Sequence, residues 1–173
     1  MLQIEPKLKG FKVYHQTNGS EQLKDYHRAD LYKICLFSGK GTIFFKGKKI
    51  NIDGHLLFFG KPHFFDEFDA GALSFHAYSC IFTHDFVRDK LFMTDQEEKY
   101  LFGERHAPVF SLTTEQSLKV TLVFKEMIYE LNHHYRYRAD LIGNYVRLLV
   151  LEALNPRCFD KIFYKSNHKG TVI

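Results

Sequence analysis

The chain has 173 residues, 45% of them hydrophobic and 25% charged, which is enough for one folded domain with its own core and excludes a disordered chain. Its net charge of +4 is too small for a dense phosphate-binding surface, so these residues alone are not expected to bind nucleic acid. The three cysteines form no CxxC pair, and neither a secretory leader nor a membrane-spanning run occurs, so we expect a cytoplasmic protein without a membrane partner.

Short apolar runs separated by turn residues fill the chain from about residue 11 to residue 112. In chain order the runs are LYKICLF, TIFF, INI, LLFF, FFDEF and LSFHAYSCIF. Runs of this length that are rich in Ile and Phe predict strands, and their number favours a sandwich or barrel over a parallel sheet. Between them we expect turns at SGKG (38–41), at Asp53-Gly54 and at Lys46-Gly47-Lys48, the last as a tight hairpin.

The hydrophobic period becomes helical after residue 112. Thr113 and Gln116 have the spacing of a capping box, and apolar residues then recur at helical spacing to Leu131. A second helix is predicted from about Asp140 to Leu154, before a proline. The fold class is therefore mainly β with C-terminal helices (α+β).

This order of elements resembles the N-terminal effector-binding and dimerisation domain of AraC/XylS-type transcriptional regulators, a cupin-like jelly-roll β-barrel followed by two helices. The stretches that carry the resemblance are HRADLYKICLFSGKGTIFFKGKKINIDGHLLFFGKPHFF, SCIFTHDFV and PVFSLTTEQ with VFKEMIYELNHHYRYRADLIGNYVRLLVLEALN, and together they span roughly residues 20–157.

The resemblance implies a division of the chain and a function. It implies a barrel sensor region at 1–112, a two-helix dimerisation region at 113–157, and a tail at 158–173 that leads toward helix-turn-helix units not contained in these residues. A small effector of unknown identity would bind in the barrel, the protein would be a homodimer, and DNA would be contacted only through those units. The expected domain is not an enzyme.

Metal binding is the alternative interpretation, because cupin enzymes hold a metal with a His-x-His pair, a downstream Glu and a later His. On that pattern His27 takes the first position and His63 the last, whereas Ala29 and Lys33 replace the other two ligands. We therefore expect no metal and no other cofactor. A small metal-dependent isomerase or oxygenase remains the second interpretation.

The candidate effector site is an aromatic-lined cavity. Its candidate residues are Lys33, Phe37, Phe44, Phe58, His63 and Phe75. Strand alternation separates Lys33 from the apolar positions 32, 34 and 36, so Lys33 either points inward and holds an acidic ligand such as a carboxylate, or it is solvated. The pattern favours the solvated interpretation, with positions 32, 34 and 36 forming the core.

The second helix is the candidate dimer seam, because it is apolar on more than one side and a single contact with the barrel cannot cover it. The predicted interface residues are Leu141, Tyr145, Leu148, Leu149 and Glu152, with Val146 and Val150 widening the apolar surface. Arg147 and Glu152 at the edge are expected to form pairs between the subunits.

Overall fold

The computed structural model describes residues 8–17, 30–45, 48–61, 65–69, 75–103, 109–155 and 160–162. The strands are β1 (Phe11–Thr17), β2 (Leu31–Phe45), β3 (Lys48–Gly60), β4 (Phe65–Asp69), β5 (Phe75–Thr83), β6 (Val109–Leu112) and β7 (Asp160–Ile162). The helices are α1 (His84–Phe86), which continues as a π-helical turn (Val87–Leu91), α2 (Asp95–Phe102), α3 (Thr114–Leu131) and α4 (Arg138–Leu154).

The strands form one antiparallel sheet in the order β1-β5-β2-β3-β6-β7, with β4 also paired to β2. β2 is long enough to have both β5 and β4 along one edge and β3 along the other. The predicted class, mainly β with C-terminal helices, is confirmed. The finer assignment to a cupin-like jelly roll remains a prediction.

Two of the predicted turns are wrong, because SGKG and Asp53-Gly54 lie inside continuous strands. Gly39 of β2 pairs directly with Gly54 of β3, and both have positive φ, 138° and 122°. A side chain is rarely tolerated at such backbone angles, so glycine lets both strands change direction without losing their pairing. The predicted hairpin at Gly47 lies outside the described residues.

Both C-terminal helices are confirmed, and the Thr113–Gln116 capping box is present with both of its hydrogen bonds. A second capping box, Thr94 with Glu97, begins α2, a helix that the periodicity did not predict. Among the described helices, none combines the length and apolar character that a bilayer span requires.

The main hydrophobic core lies between the helices and one face of the sheet, here called the Tyr32 face after its first residue on β2. It includes the predicted core positions Tyr32, Ile34 and Leu36, which pack with Phe124 of α3 and Val146 of α4. This part of the strand prediction is confirmed. The helices are thus fixed to one side of the sheet.

α4 buries a broad stripe within its own chain, consisting of Ile142, Gly143, Val146, Leu149, Val150 and Ala153. Gly143 lies against the π-helical turn, where a Cβ added to it would be 2.9 Å from Lys90 Cβ and 3.1 Å from the Lys90 carbonyl oxygen. Arg147 makes two hydrogen bonds of 3.2 Å to the carboxylate of Glu97 on α2. These contacts hold α4 from two sides.

Candidate ligand site on the second face of the sheet

The face of the sheet opposite the helices is also buried, and it is here called the Lys33 face. Its residues are Tyr14 and Gln16 on β1, Lys33, Cys35 and Phe37 on β2, Leu56 and Phe58 on β3, and Ala77, Ser79 and Ile81 on β5. Apolar side chains dominate it, including the cluster of Cys35, Phe37 and Phe58. A sheet buried on both faces can have its core on one side and a binding surface on the other.

Lys33 lies in this buried face and is only 3% exposed, so the sequence-based interpretation that it is solvated is wrong. Burial lowers the pKa of its amine, because an ammonium loses its hydration in such surroundings. The nearby thiols of Cys35 and Cys80 act in the opposite direction on that pKa. Strand alternation correctly placed Lys33 on the face opposite positions 32, 34 and 36, but it did not show that this second face is buried as well.

Ser79 and Gln16 extend the polar character of this face, and sequence reasoning missed both. Ser79 pairs with Cys35 on one side and with Tyr14 on the other, whereas Lys33 and Gln16 belong to the rows immediately above and below it. Residues diagonal to each other on a sheet are about 7–8 Å apart. Lys33, Ser79 and Gln16 therefore form a line across three strands, here called the polar diagonal.

The polar diagonal contains hydrogen-bonding groups that are buried but not satisfied. Ser79 is fully buried and Gln16 is 4% exposed. Within the part of the chain that the structure describes, neither Ser79 Oγ nor Gln16 Nε2 has a hydrogen-bond partner. Because a buried unsatisfied polar group costs about 1–3 kcal/mol, these two groups call for a partner that the described residues do not supply.

Three of the predicted aromatic residues lie together at one end of the Lys33 face. Phe37 and Phe58 are almost completely buried, and the half-buried Phe75 stacks on Phe37 with ring centroids 5.3 Å apart. Phe44 is in β2, but its side chain is not among those described, and His63 lies outside the described residues. Four of the six predicted effector-site residues, those three aromatic residues and Lys33, therefore lie on the Lys33 face.

The predicted metal pattern falls largely outside the described residues, since this is where His27, Ala29 and His63 lie. Among the residues that are described, no group of three or more His, Cys, Asp or Glu side chains is arranged to hold a metal ion.

A second polar cluster, also missed from sequence, is centred on Tyr32. The Tyr32 hydroxyl donates a hydrogen bond to the Glu98 carboxylate and lies 3.0 Å from His84 Nδ1. The Lys61 ammonium lies 3.7 Å from the centre of the Tyr32 ring. Burial and the Glu98 carboxylate both raise the pKa of Tyr32, so this hydroxyl remains protonated and acts as a structural donor that fixes α2 to the sheet.

Histidines from three strands lie at the other end of the Tyr32 face. His15 and His76 have ring centroids 5.9 Å apart, and His55 Nδ1 lies 2.9 Å from Ser38 Oγ. Burial lowers the pKa of both His15 and His76, and a neighbouring histidine lowers each further. The His15 and His76 side chains are therefore neutral at pH 7 and contribute ring packing to the fold.

The predicted dimer residues separate into buried and exposed sets. Leu149 is 1% exposed and belongs to the core, so its assignment to the interface is wrong. Leu141, Tyr145 and Glu152 are half-buried, whereas Leu148 is 42% exposed.

The predictions for three neighbouring residues of α4 are also wrong. Arg147 is engaged with Glu97 of its own chain, which contradicts the predicted pair between subunits. Val146 and Val150 are fully buried in the core instead of widening the exposed surface. The exposed apolar surface of α4 is therefore narrower than predicted, and Leu151, which was expected to extend it toward the C-terminal end, is 47% exposed.

Comparison with known proteins adds no identification. No protein-family model matches the chain, and no curated protein matches it.

Proposed function

We propose that this chain is the ligand-sensing and dimerisation domain of an AraC-type transcription regulator, in which helix-turn-helix units outside these residues contact DNA. The observation that carries the proposal is a pair of buried groups on the Lys33 face, Ser79 Oγ and Gln16 Nε2, which have no hydrogen-bond partner within the part of the chain that the structure describes. Buried polar groups without partners weaken a fold unless something supplies the missing contacts. A small effector is the occupant that best accounts for them.

The proposed signal passes through the sheet itself. Cys35 on the Lys33 face lies between Ile34 and Leu36, which pack in the core with the helices. An effector that contacts β2 and β5 on one face would therefore shift the packing of α3 and α4 on the other. Binding that favours one helix arrangement changes the presentation of whatever those helices join.

The proposed dimer surface is the outer side of the α3–α4 hairpin. Leu148 and Leu151 lie in the C-terminal half of α4, and Leu118 and Leu122, each 60% exposed, lie in the N-terminal half of α3. Because the two helices are joined by only a short connection (132–137), these two halves are expected to lie side by side. We infer that the four leucines form one apolar patch on the outside of the domain, here called the leucine patch.

A second copy of the chain is the proposed occupant of the leucine patch. A two-fold axis brings the same patch of each copy together, and a stable interface buries about 800 Å² on each partner. The four leucines supply the apolar centre of such an interface. Half-buried Leu141 and Glu152 would lie toward its edge.

Two neighbouring substitutions test the dimer sharply. Sedimentation equilibrium is measured for the wild type, Leu148→Glu and Leu149→Glu at micromolar concentration. Because Leu148 is exposed and Leu149 is core, we expect Leu148→Glu to give a folded monomer and Leu149→Glu to lose about 3–5 kcal/mol of stability or fail to fold.

The outcomes distinguish the dimer from simple core packing. A wild type that is monomeric contradicts the proposed dimer. A Leu148→Glu variant that stays dimeric places the interface elsewhere, and in that case Leu118→Glu shows whether α3 alone forms it.

A further inference from the structure

We propose that His15, His55 and His76, here called the histidine cluster, form a pH-sensitive contact under α3. The helix is held against the sheet while the cluster is neutral, and it loosens in mild acid. This inference goes beyond the proposed function and does not depend on it.

A chain of ring contacts joins the histidine cluster to α3. The His15 ring is 5.9 Å from the His76 ring and stacks on Tyr78, with centroids 4.2 Å apart. Tyr78 in turn stacks on the fully buried Phe124 of α3, with centroids 5.9 Å apart. Because α3 packs over β1, β2 and β5, a displaced His15 ring alters the surface on which the helix rests.

Positive charge at the histidine cluster is disfavoured while α3 is in place. Partial burial is the largest cause that lowers the pKa of His15, and His76 and Lys125 of α3 lower it further. The pKa of His76 is lowered by partial burial and then by His55. If α3 moves away, the two rings regain hydration and Lys125 recedes, so protonation favours the loosened arrangement. The contribution of the neutral rings is therefore present above pH 6.5 and is lost on acidification.

Among the described residues, the acids of the same elements have other partners. Asp53 of β3 pairs with Lys40 of β2, with Nζ and Oδ2 3.3 Å apart. The acids of α3 interact with Lys119 of the same helix or with Tyr145 of α4; they are Glu115, Glu126 and Glu130. The histidine cluster therefore gains positive charge in acid without a described carboxylate to balance it.

The experiment is hydrogen–deuterium exchange of the whole chain at pH 7.5 and pH 5.5, with each amide's rate expressed as a protection factor against its intrinsic rate at that pH. Two unit charges 5.9 Å apart, the separation of the His15 and His76 rings, shift an equilibrium by about 3–100-fold, with the lower value for a pair that water screens fully. The reference is β2 at residues 31–36, which is paired along both edges. We expect the protection factors of α3 to fall by about 3–100-fold more than those of the reference.

Neutral substitutions assign the effect to the histidine cluster. His15→Gln and His76→Gln should each reduce the difference between α3 and the reference, because glutamine stays neutral at both pH values. Lys125→Met should reduce it as well, and because Lys125 is exposed this variant tests the cluster even if a histidine variant does not fold. The matched controls are His134→Gln, in the 132–137 connection, and Lys119→Met on α3; both residues are exposed, and both variants should leave the difference unchanged.

The other outcomes overturn the inference. An equal loss of protection in α3 and in the reference means that acid weakens the whole fold, and no loss in either means that acid does not act on α3. A loss confined to α3 that survives in both His15→Gln and His76→Gln overturns the assignment to the histidine cluster.

A looser α3 also has a consequence for the leucine patch, because the helix carries Leu118 and Leu122. Sedimentation at both pH values should show a weaker dimer at pH 5.5. This consequence alone rests on the proposed function. A dimer that is equally strong at both pH values overturns this link and leaves the exchange result intact.

Discussion

Replacing Gly143 by alanine has two effects on the stability of the fold, and they are opposite in sign. In an exposed part of a helix this change stabilises by about 1 kcal/mol, because alanine has the higher helix propensity. Here the new Cβ would be 2.9 Å from Lys90 Cβ and 3.1 Å from a backbone oxygen of the same residue. The backbone oxygen cannot rotate away, so α4 and the π-helical turn would have to separate.

The cost of that separation exceeds the gain in propensity. Overpacking a buried contact costs about 1–3 kcal/mol, and the turn is anchored by Leu91, which is fully buried, and by the 2.7 Å bond from Lys90 Nζ to Asp140. Taking the upper end of the range, we expect Gly143→Ala to be less stable than the wild type by about 2 kcal/mol. For a chain of this length that lowers Tm by about 4–8 °C.

Urea unfolding at a fixed protein concentration measures the effect, with Asn144→Ala as the matched control. Asn144 is the next residue of α4 and is exposed, so alanine there should stabilise by about 0.5 kcal/mol. If Gly143→Ala is as stable as Asn144→Ala, or more so, the reasoning is refuted and α4 does not lie against the π-helical turn as described.

Three further predictions concern the surface and its titratable groups. Glu97→Gln should lower the free energy of unfolding by about 1–2 kcal/mol at pH 7 and by less at pH 3. Arg147 lowers the pKa of Glu97, and the stabilisation from this pair is lost as the carboxylate is protonated. Urea unfolding at both pH values measures the difference. Burial lowers the pKa of His15 and His76 below 6.5, so their contribution to the free energy of unfolding is present above pH 6.5 and is lost on acidification. His76→Gln should therefore reduce the loss of stability between pH 7.5 and 5.5. An unchanged slope of stability against pH would contradict this prediction. Phe92 has a left-handed backbone (φ 51°) and is 80% exposed, so Phe92→Gly should raise Tm by a few degrees, and a lowered Tm would mean that this ring is buried by a partner.

The sequence predicted the elements whose signals are local. The helix starting after Thr113 follows from a capping box and a long apolar stripe, and both are present. The segment Thr94–Phe102 carries the same capping signal at Thr94 and Glu97 but is only two turns long, and its apolar residues are too few to mark a period. A search for capping boxes alone would have found it.

The candidate site was harder to predict, because it depends on which residues the strand pairing brings together. Lys33 stood out as a polar residue in an apolar strand, but strand alternation cannot say whether the second face of a sheet is also covered. Ser79 and Gln16 are ordinary in sequence and become notable only through the pairing of β5 with β1 and β2. Leu149 was misplaced for a related reason, since the buried stripe of α4 is wide enough to include both Leu149 and Val150.

The facing glycines, Gly39 and Gly54, divide the β2–β3 ribbon into two parts with different environments. On the inner side of the pair, residues 56–60 of β3 and 31–38 of β2 are buried, whereas on the outer side Lys40, Asn51 and Asp53 are exposed and Ile52 is buried. Hydrogen bonds of the inner part are protected by side-chain packing, and those of the outer part chiefly by strand pairing. Amide hydrogens should therefore exchange with solvent in two groups divided at this glycine pair, and the outer part of the ribbon can open while the inner part, with Lys33, stays closed.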